Sequence, residues 1–302
     1  MPNLLRPSSH PFRCWLAAAV LALAGCGTAP PQRDADLKIA TWNLEHLAEA
    51  DGSGCRQRSE ADYATLRRYA DALDADVIAF QEVESVRAAR RVFPADRYDI
   101  VFSDRPDSGN RGYCRRGGPE AGLQIRHQSV GFAIRKGVPY TRHPDLRELA
   151  LGNPDLRWGV DVTVHGRQPL RLLALHLKSG CSTGDRNEAC PTLFGQVPVL
   201  ERWIDARRAE GGDFALLGDW NRRMALAGDP VWASLSDGRA LVDAAGGRNA
   251  TCKQRYRDFI DHIVLGPAAA ERVRPGSFEE LTYGVPEAEY PSDHCPIAVS
   301  LH

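Results

Sequence analysis

Short apolar runs rich in β-branched residues recur along the chain from residue 37 onward, separated by polar and turn-forming segments. Runs of this length and composition are typical of strands. The predicted strands are Leu37 to Thr41, Val77 to Phe80, Tyr98 to Phe102, Val130 to Ile134, Val160 to Val164, Leu170 to Leu175, Phe214 to Leu217, Phe259 to Leu265 and Ile297 to Leu301.

Helical patterns separate only some of these runs. Apolar residues share one face of a predicted helix from Tyr63 to Leu73 and of another from Val197 to Ile204. A barrel or a doubly wound sheet needs a helix after nearly every strand, so both are disfavoured. The pattern predicts an α/β fold in which mixed β-sheets are stacked and helices lie outside them.

The N-terminus has the layout of an export signal. Arg6 and Arg13 precede an apolar run from Trp15 to Ala24, which is too short to span a bilayer. The run ends in Leu23-Ala24-Gly25-Cys26, which resembles the cleavage motif of bacterial lipoproteins, in which the cysteine is lipidated. Ordinary cleavage after Ala24 is the alternative, and it would leave Cys26 as a free thiol.

Three segments follow from this pattern: a signal over residues 1–26, a tether over 27–36 and one domain over 37–302. The tether contains Pro30-Pro31 and no apolar run. A lipid at Cys26 would hold the domain at a membrane in the bacterial cell envelope. Gly27 is not the aspartate that often retains lipoproteins in the inner membrane, so the outer membrane is favoured. The sequence indicates no protein partner, and we expect a monomer.

Cysteine parity agrees with export. Of the eight cysteines, Cys14 leaves with the signal and Cys26 would be lipidated, so an even number remains. Disulfides form in oxidising compartments. We predict the pairs Cys181–Cys190, Cys55–Cys114 and Cys252–Cys295, although the sequence alone does not exclude other pairings. A soft-metal site is the competing interpretation, and the lack of a C-x-x-C pair disfavours it.

The charge balance excludes a strongly basic nucleic-acid binder. The formal net charge is -1, and loss of the two arginines in the signal makes it -3. Positive charge is nevertheless concentrated locally, in Arg105, Arg111, Arg115, Arg116 and Arg126. Most of these lie in the long segment from Ser103 to Gly122, which is either a functional loop or a surface loop pinned by a disulfide. A solvated basic loop is the simpler interpretation of the charges.

Polar residues follow the apolar runs in a recurring way. The pieces are Thr41-Trp42-Asn43-Leu44-Glu45, Gln81-Glu82-Val83-Glu84, His176-Leu177-Lys178-Ser179, Gly218-Asp219-Trp220-Asn221, Ile260-Asp261-His262-Ile263 and Ser292-Asp293-His294-Cys295-Pro296-Ile297. Each piece alone has an ordinary explanation as a turn, a surface carboxylate or a core histidine. Their side chains would lie close together if the ends of these strands share one edge of the sheets.

In this order the pieces resemble the endonuclease/exonuclease/phosphatase superfamily, typified by pancreatic deoxyribonuclease. The resemblance covers residue 37 to the C-terminus and rests on Asn43, Glu82, His176, Asp219, Asn221, Asp261, Asp293 and His294. It implies a four-layer α/β/β/α sandwich of two packed mixed sheets flanked by helices. It also implies phosphodiester hydrolysis at a divalent metal ion.

The residue types suit that chemistry independently of the resemblance. Hydrolysis of a phosphodiester needs a cation on the phosphate oxygens, an activated water and a proton donor. Glu82, Asn43, Asp293 and Asp219 would supply oxygen ligands for Mg²⁺, with Mn²⁺ or Ca²⁺ as alternatives.

The histidines would carry the protons. We predict His294 as part of the base, oriented by Asp261, and His176 as a phosphate-facing donor or acid, with Asp219 as the rival base. Asn221 would bond a phosphate oxygen or align the water. Arg157, before the strand that precedes His176, is a candidate phosphate ligand, as in the deoxyribonuclease branch of the family.

Substrate identity is less constrained than reaction class, because relatives of this type cleave DNA, RNA, inositol phosphates and sphingomyelin. We expect a nuclease, since the arginine-rich segment suits a polyanion and no apolar hairpin for lipid insertion is evident. The alternatives are a phosphatase or phospholipid phosphodiesterase of the same fold, and a catalytically inactive envelope binding module.

Overall fold

The apolar runs form strands in the computed structural model, which describes residues 2–3, 36–114 and 120–302. The strands are β1 (Leu37–Leu47), β2 (Val77–Val83), β3 (Tyr98–Phe102), β4 (Ser129–Arg135), β5 (Tyr140–Arg142), β6 (Val160–Val164), β7 (Leu170–His176), β8 (Asp213–Asp219), β9 (Val242–Asp243), β10 (Asp261–Leu265), β11 (Glu279–Glu280) and β12 (Ile297–Leu301). Strand β10 begins at Asp261, two residues later than predicted. The sequence pattern missed β5, β9 and β11 because two or three residues are too few to show alternation.

Two six-stranded sheets contain these strands. The first has the order β11-β12-β1-β2-β4-β3 and the second β5-β6-β7-β8-β10-β9. Each sheet contains one parallel pair, β1 with β2 and β7 with β8, while the other paired strands are antiparallel. Both sheets are therefore mixed, as predicted.

Alternation along each strand divides the core into layers. Ile39 of β1 faces the other sheet, where it belongs to the same buried cluster as Leu172 and Leu217. Its neighbours Ala40 and Trp42 belong to a second buried cluster on the outer side of the first sheet. A third cluster, which includes Leu173 of β7, covers the outer side of the second sheet.

The helices complete the outer layers. They are α1 (Glu60–Leu73), α2 (Val86–Val92), α3 (Cys190–Ala209), α4 (Pro230–Ser236) and α5 (Pro267–Glu271), with short 3-10 turns at Arg147–Ala150 and Glu287–Glu289. Apolar residues of α1 and α2 pack on the first sheet, and those of α3 and α4 pack on the second. The result is the expected four-layer α/β/β/α sandwich.

Three disulfides join the loops, in the predicted pairs Cys55–Cys114, Cys181–Cys190 and Cys252–Cys295. The first pins the long segment after β3 to the segment after β1. Cys26, the signal apart from residues 2–3, residues 27–35 of the tether, Arg115 and Arg116 lie outside the described residues.

Contacts group the described residues 36–114 and 120–302 into one compact unit. Within the part of the chain that the structure describes, no helix is both long and apolar enough to cross a membrane.

A buried ion pair joins β9 to β10. His262 is fully buried; its Nδ1 lies 2.7 Å from Asp243 Oδ2 and its Nε2 lies 2.9 Å from the Arg222 carbonyl oxygen. Because both partners accept hydrogen bonds, both ring nitrogens carry hydrogen and the ring is an imidazolium. Burial alone would lower the pKa of His262, but Asp243 and the carbonyl outweigh it and raise that pKa above its ordinary value.

We expect Asp243→Asn to lower the free energy of unfolding by about 3 kcal/mol at pH 6, because the buried imidazolium loses its counter-charge. A raised folded-state pKa stabilises the protein below the unfolded pKa of about 6.5, and this stabilisation is lost as pH rises through the folded value. The deficit in urea unfolding should therefore shrink toward pH 9, with the exposed Asp96→Asn as control. A deficit independent of pH would contradict the imidazolium.

Candidate active site

Strand pairing brings the predicted polar residues to one end of the sandwich. His176 on β7 and Asp261 on β10 are both register partners of Asp219, which ends β8 between them. Asn43 of β1 and Glu82 of β2 lie on the first sheet, and the Asn43 amide nitrogen donates to Glu82 Oε1 at 3.2 Å and to Asp219 Oδ2 at 3.0 Å. The two sheets therefore meet at these side chains.

The backbone departs from regular strand geometry at the same place. Glu82, Asn221, Glu45 and His46 have φ of 61°, 52°, 42° and 51°, in the left-handed region that side chains other than glycine seldom adopt. Two hydrogen bonds to the Glu82 carboxylate offset the strain of this backbone. The His46 amide donates one at 3.0 Å and Gln128 Nε2 donates the other at 2.8 Å. Such conformations cost about 1–3 kcal/mol each and concentrate at functional sites.

The glycine before Asp219 is required by close backbone approach. A Cβ on Gly218 would lie 2.0 Å from the carbonyl oxygen of Leu175 on the neighbouring strand. Only a residue without a side chain lets β7 and β8 approach here, and that approach brings Asp219 beside His176.

Two overlapping groups of side chains have the spacing of metal ligands. Glu82, His176 and Asp219 form one group, and Asp219, Asp261 and His294 form the other, with ligand atoms within 4.8 Å of one another in each. Among the predicted ligands, Glu82 and Asp219 belong to these groups and Asn43 contacts both. Asp293 belongs to neither group.

Asp293 lies at the rim instead. Its side chain is 46% exposed, with Oδ2 3.9 Å from Lys253 Nζ. Its backbone amide donates to Glu45 Oε2 at 2.9 Å. The structure thus brings Asp293 close to Glu45 and His294 rather than into the groups around Asp219, because the loop before β12 stays at the surface.

The electrostatics of Asp219 call for a cation. Burial and the neighbouring Asp261 carboxylate raise the pKa of Asp219 to about 7. No arginine or lysine pairs with this carboxylate among the described residues. His176 Nδ1 is also buried without a hydrogen-bond partner. Crowded oxygen ligands of this kind are what Mg²⁺ or Mn²⁺ prefers, so the residues fit such an ion.

His294 forms a dyad with Asp261. Its Nδ1 lies 2.6 Å from Asp261 Oδ2, and its Nε2 lies 3.9 Å from Asp219 Oδ2. Burial opposes charge on the ring, but Asp261, Asp293 and Asp219 outweigh it and raise the pKa of His294 well above its ordinary value. The dyad therefore favours the charged form of the ring, whose second nitrogen lies toward Asp219.

His176 has the opposite character. It is buried 3.5 Å from Asp219 Oδ2, and burial together with Arg157 and His294 holds its pKa well below the ordinary value. These pKa directions favour a charged His294 as proton donor and Asp219, its rival in the prediction, as the base. The less basic ring of His176 can still donate a hydrogen bond from an N–H group.

Asn221 and Arg157 both contact residues that surround the proposed ion. The Asn221 backbone amide donates to Asp219 Oδ1 at 2.8 Å, and its side-chain amide donates to the Leu177 carbonyl at 3.1 Å. The backbone of Asn221 thus holds the Asp219 carboxylate, and the predicted role of its side chain as a phosphate or water ligand stays a prediction. Arg157 donates to Gln128 Oε1 at 2.7 Å and so reaches Glu82 through that side chain.

Sequence reasoning missed Gln128 and His46, and it included Glu45 only as part of a motif, without a role. Gln128 precedes β4, which runs antiparallel to β2, so the start of β4 lies at the same rim as the end of β2. A search limited to residues that follow strands overlooks positions of this kind. Glu45 and His46 lie inside the irregular end of β1, which the apolar pattern did not reach.

Comparison with known proteins agrees with this geometry. Residues 40–294 match the Endonuclease/Exonuclease/phosphatase family, and the chain belongs to it. No curated protein matches the sequence. The resemblance inferred from the motifs is therefore confirmed at the level of the family.

Solved structures give the same fold. A truncated Caenorhabditis elegans TDP2 has a TM-score of 0.59 and 17% identity, over 88% of this chain and 97% of that one. The AP endonuclease LMAP of Leishmania major has a TM-score of 0.58 and 14% identity, over 90% of this chain and 92% of that one. A Bacteroides thetaiotaomicron mannosyl-6-phosphatase has a TM-score of 0.54 and 17% identity, over 88% of this chain and 99% of that one. These structural matches establish the fold of the chain. Because the identities are low, they leave its substrate open.

Proposed function

We propose that the protein is a divalent-metal-dependent phosphodiester hydrolase that acts on nucleic acid, DNA or RNA. The observation that carries this proposal is the shared carboxylate of Asp219, with a neutral buried histidine on one side and a charged His294–Asp261 dyad on the other. Such a site offers a cation position, a base and a proton donor within a few ångströms.

Each side chain has a role in this mechanism. Glu82 would hold the ion, preferably Mg²⁺, which would neutralise charge on the phosphate, and Asn43, whose amide nitrogen donates to Glu82 and Asp219, would position those carboxylates. Asp219, oriented by Asn221, accepts the proton of the attacking water. His294 Nε2 donates to the phosphate or to the leaving oxygen, while Asp261 keeps its ring oriented and charged.

Surface charge favours a polyanionic substrate. Arg111, Arg126 and Arg157 line a cleft that begins beside Gln128. Exposed large hydrophobic side chains of the described residues do not form a patch around the centre. Tyr256 lines a second cleft, beside His294, while others such as Val86, Leu226 and Val285 line neither cleft. A lipid substrate would favour a contiguous apolar rim.

A substrate panel tests the proposal. The oxidised domain is assayed on single-stranded DNA, RNA, bis(p-nitrophenyl) phosphate, p-nitrophenyl phosphate and sphingomyelin, each with Mg²⁺ and with chelator. We expect chelator-sensitive cleavage of the nucleic acids and of the small diester. Preference for the monoester would establish a phosphatase, preference for sphingomyelin a phospholipid phosphodiesterase, and inactivity on all five a binding module.

We further propose that the mature protein is an exported lipoprotein anchored at Cys26, with the outer membrane as its favoured location. The three disulfides support export, because such bonds persist in oxidising compartments. Metabolic labelling with radioactive palmitate should mark the wild type and not Cys26→Ser. Equal labelling of both would overturn the anchor.

A further inference from the structure

A cleft of about 420 Å³ opens next to the proposed catalytic centre and is lined by Arg105, Arg111, Arg126 and Arg157. We call it the arginine cleft. Its inner end is Gln128, whose amide donates to Glu82 Oε2 at 2.8 Å. A ligand in this cleft would therefore lie directly beside the ion-binding carboxylate.

Positive charge dominates the lining. Asp155 is the lining carboxylate, and Ser108 and Asn110 already donate to it. Arg111 pairs with Asp107, and Arg126 pairs with Glu84 at the outer end.

The charge at the inner end of the arginine cleft is only partly compensated. No carboxylate lies within ion-pairing distance of Arg157 in the part of the chain that the structure describes, and its side chain donates to a neutral amide oxygen. Glu82 and Asp219 stabilise its charge from farther away. Burial and the nearby Arg157 lower the pKa of Arg105 to about 10. Burial and Arg105 likewise lower the pKa of His127 to about 4, so that ring adds no positive charge.

The walls are fixed rather than loose. The Cys55–Cys114 disulfide closes the outer end of the loop that carries Arg111. Arg105 is buried and donates to the carbonyl oxygens of Pro154 at 3.0 Å and of Gln128 at 2.5 Å. An anion would thus meet a site that is already ordered, which reduces the entropic cost of binding.

The cleft on the other side of the centre has a different charge. It measures about 320 Å³ beside His294 and contains Arg223 and Lys253, but also the carboxylates Asp258, Asp261, Glu280 and Asp293. Acidic groups outnumber basic ones there. An extended substrate would therefore place its additional negative charge in the arginine cleft.

We propose that the arginine cleft binds a second phosphate of the substrate, the one that neighbours the phosphodiester being cleaved. The inference rests on the proposed hydrolysis at the adjacent centre, and it narrows the substrate to a strand with at least two successive phosphates. Arg157 forms the inner part of this subsite, with the buried charge of Arg105 behind it, and Arg111 and Arg126 form the outer part. Arginine is suited to the role because its planar fork bonds two phosphate oxygens.

The test compares the wild type with Arg111→Gln/Arg126→Gln on three substrates: bis(p-nitrophenyl) phosphate, a dinucleotide with one phosphate, and a trinucleotide with two. The control is Arg97→Gln/Arg274→Gln, which removes two paired, exposed arginines at the opposite end of the first sheet. We expect kcat/KM on the trinucleotide to fall about 10- to 100-fold in the cleft variant, with changes under about twofold on the one-phosphate substrates. The control should match the wild type on all three.

Equal loss on all three substrates, or no loss on the trinucleotide, would overturn the subsite. Inhibition of bis(p-nitrophenyl) phosphate hydrolysis by the trinucleotide separates this inference from the nuclease proposal. If the wild type does not cleave the trinucleotide but is inhibited by it, more strongly than the cleft variant, the nuclease proposal fails and the subsite stands. If the trinucleotide is neither cleaved nor inhibitory, the subsite fails.

Discussion

Glu82→Gln is expected to lower kcat/KM on a phosphodiester by about 10³-fold or more while the protein remains folded. The substitution keeps the shape of the side chain and removes the charge that would hold the cation. A bound metal contributes several kcal/mol to stabilisation of a phosphoryl transition state, and each 1.36 kcal/mol is about a factor of ten in rate. Hydrolysis rates at saturating Mg²⁺ measure the loss, and circular dichroism confirms the fold.

Glu84→Gln is the matched control for Glu82. Glu84 follows two residues later and pairs with Arg126, outside both candidate ligand groups. We expect its activity on bis(p-nitrophenyl) phosphate to stay within about threefold of the wild type, as is usual for a partly exposed ion pair. Equal activity of Glu82→Gln and Glu84→Gln would place the ion elsewhere or remove it from the mechanism.

The second large effect concerns His294. Asp261 favours the charged form of its ring, so His294→Gln removes the proposed proton donor, and we expect kcat to fall about 10²- to 10⁴-fold. The wild-type pH profile should rise as Asp219 deprotonates and fall as His294 loses its proton. Because a bound cation lowers the pKa of Asp219 from about 7, the rising limb of the metal-loaded enzyme lies below that value.

The pH profiles of variants separate the two assignments of the base. In His294→Gln the falling limb should disappear and the rising limb remain. His176→Gln should keep both limbs, since that ring is already neutral at working pH. Loss of the rising limb in His294→Gln would restore His294 as the base, and loss of the same limb in both variants would remove both assignments.

The sequence contains enough information for the main strands and for the set of polar residues, because both depend on local periodicity and on motif order. Strands such as β6 and β12 have the predicted bounds since long apolar alternation is a strong signal. The short strands β9 and β11 are defined by pairing with distant partners, β10 and β12, which no local pattern encodes.

The roles at the site depend on three-dimensional surroundings that a motif does not contain. Asp219 and His294 are both strand-end polar residues in the sequence, and their titration is set by burial and by Asp261 across the sheet. Gln128 escaped notice because antiparallel pairing, not its own sequence context, places it beside Glu82. The hydrogen bond from the Asn221 backbone amide to Asp219 likewise depends on the turn that follows β8.

Restoration of activity to metal-stripped protein tests the central claim most directly. The oxidised wild-type domain is freed of metal with chelator, dialysed and titrated with Mn²⁺, while hydrolysis of single-stranded DNA and the electron paramagnetic resonance signal of free Mn²⁺ are followed together. We expect no hydrolysis without metal, and activity that returns along the same curve as metal binding. Glu82→Gln should weaken both. Full hydrolysis by the metal-free protein, or binding unaffected by Glu82→Gln, would contradict the proposed centre.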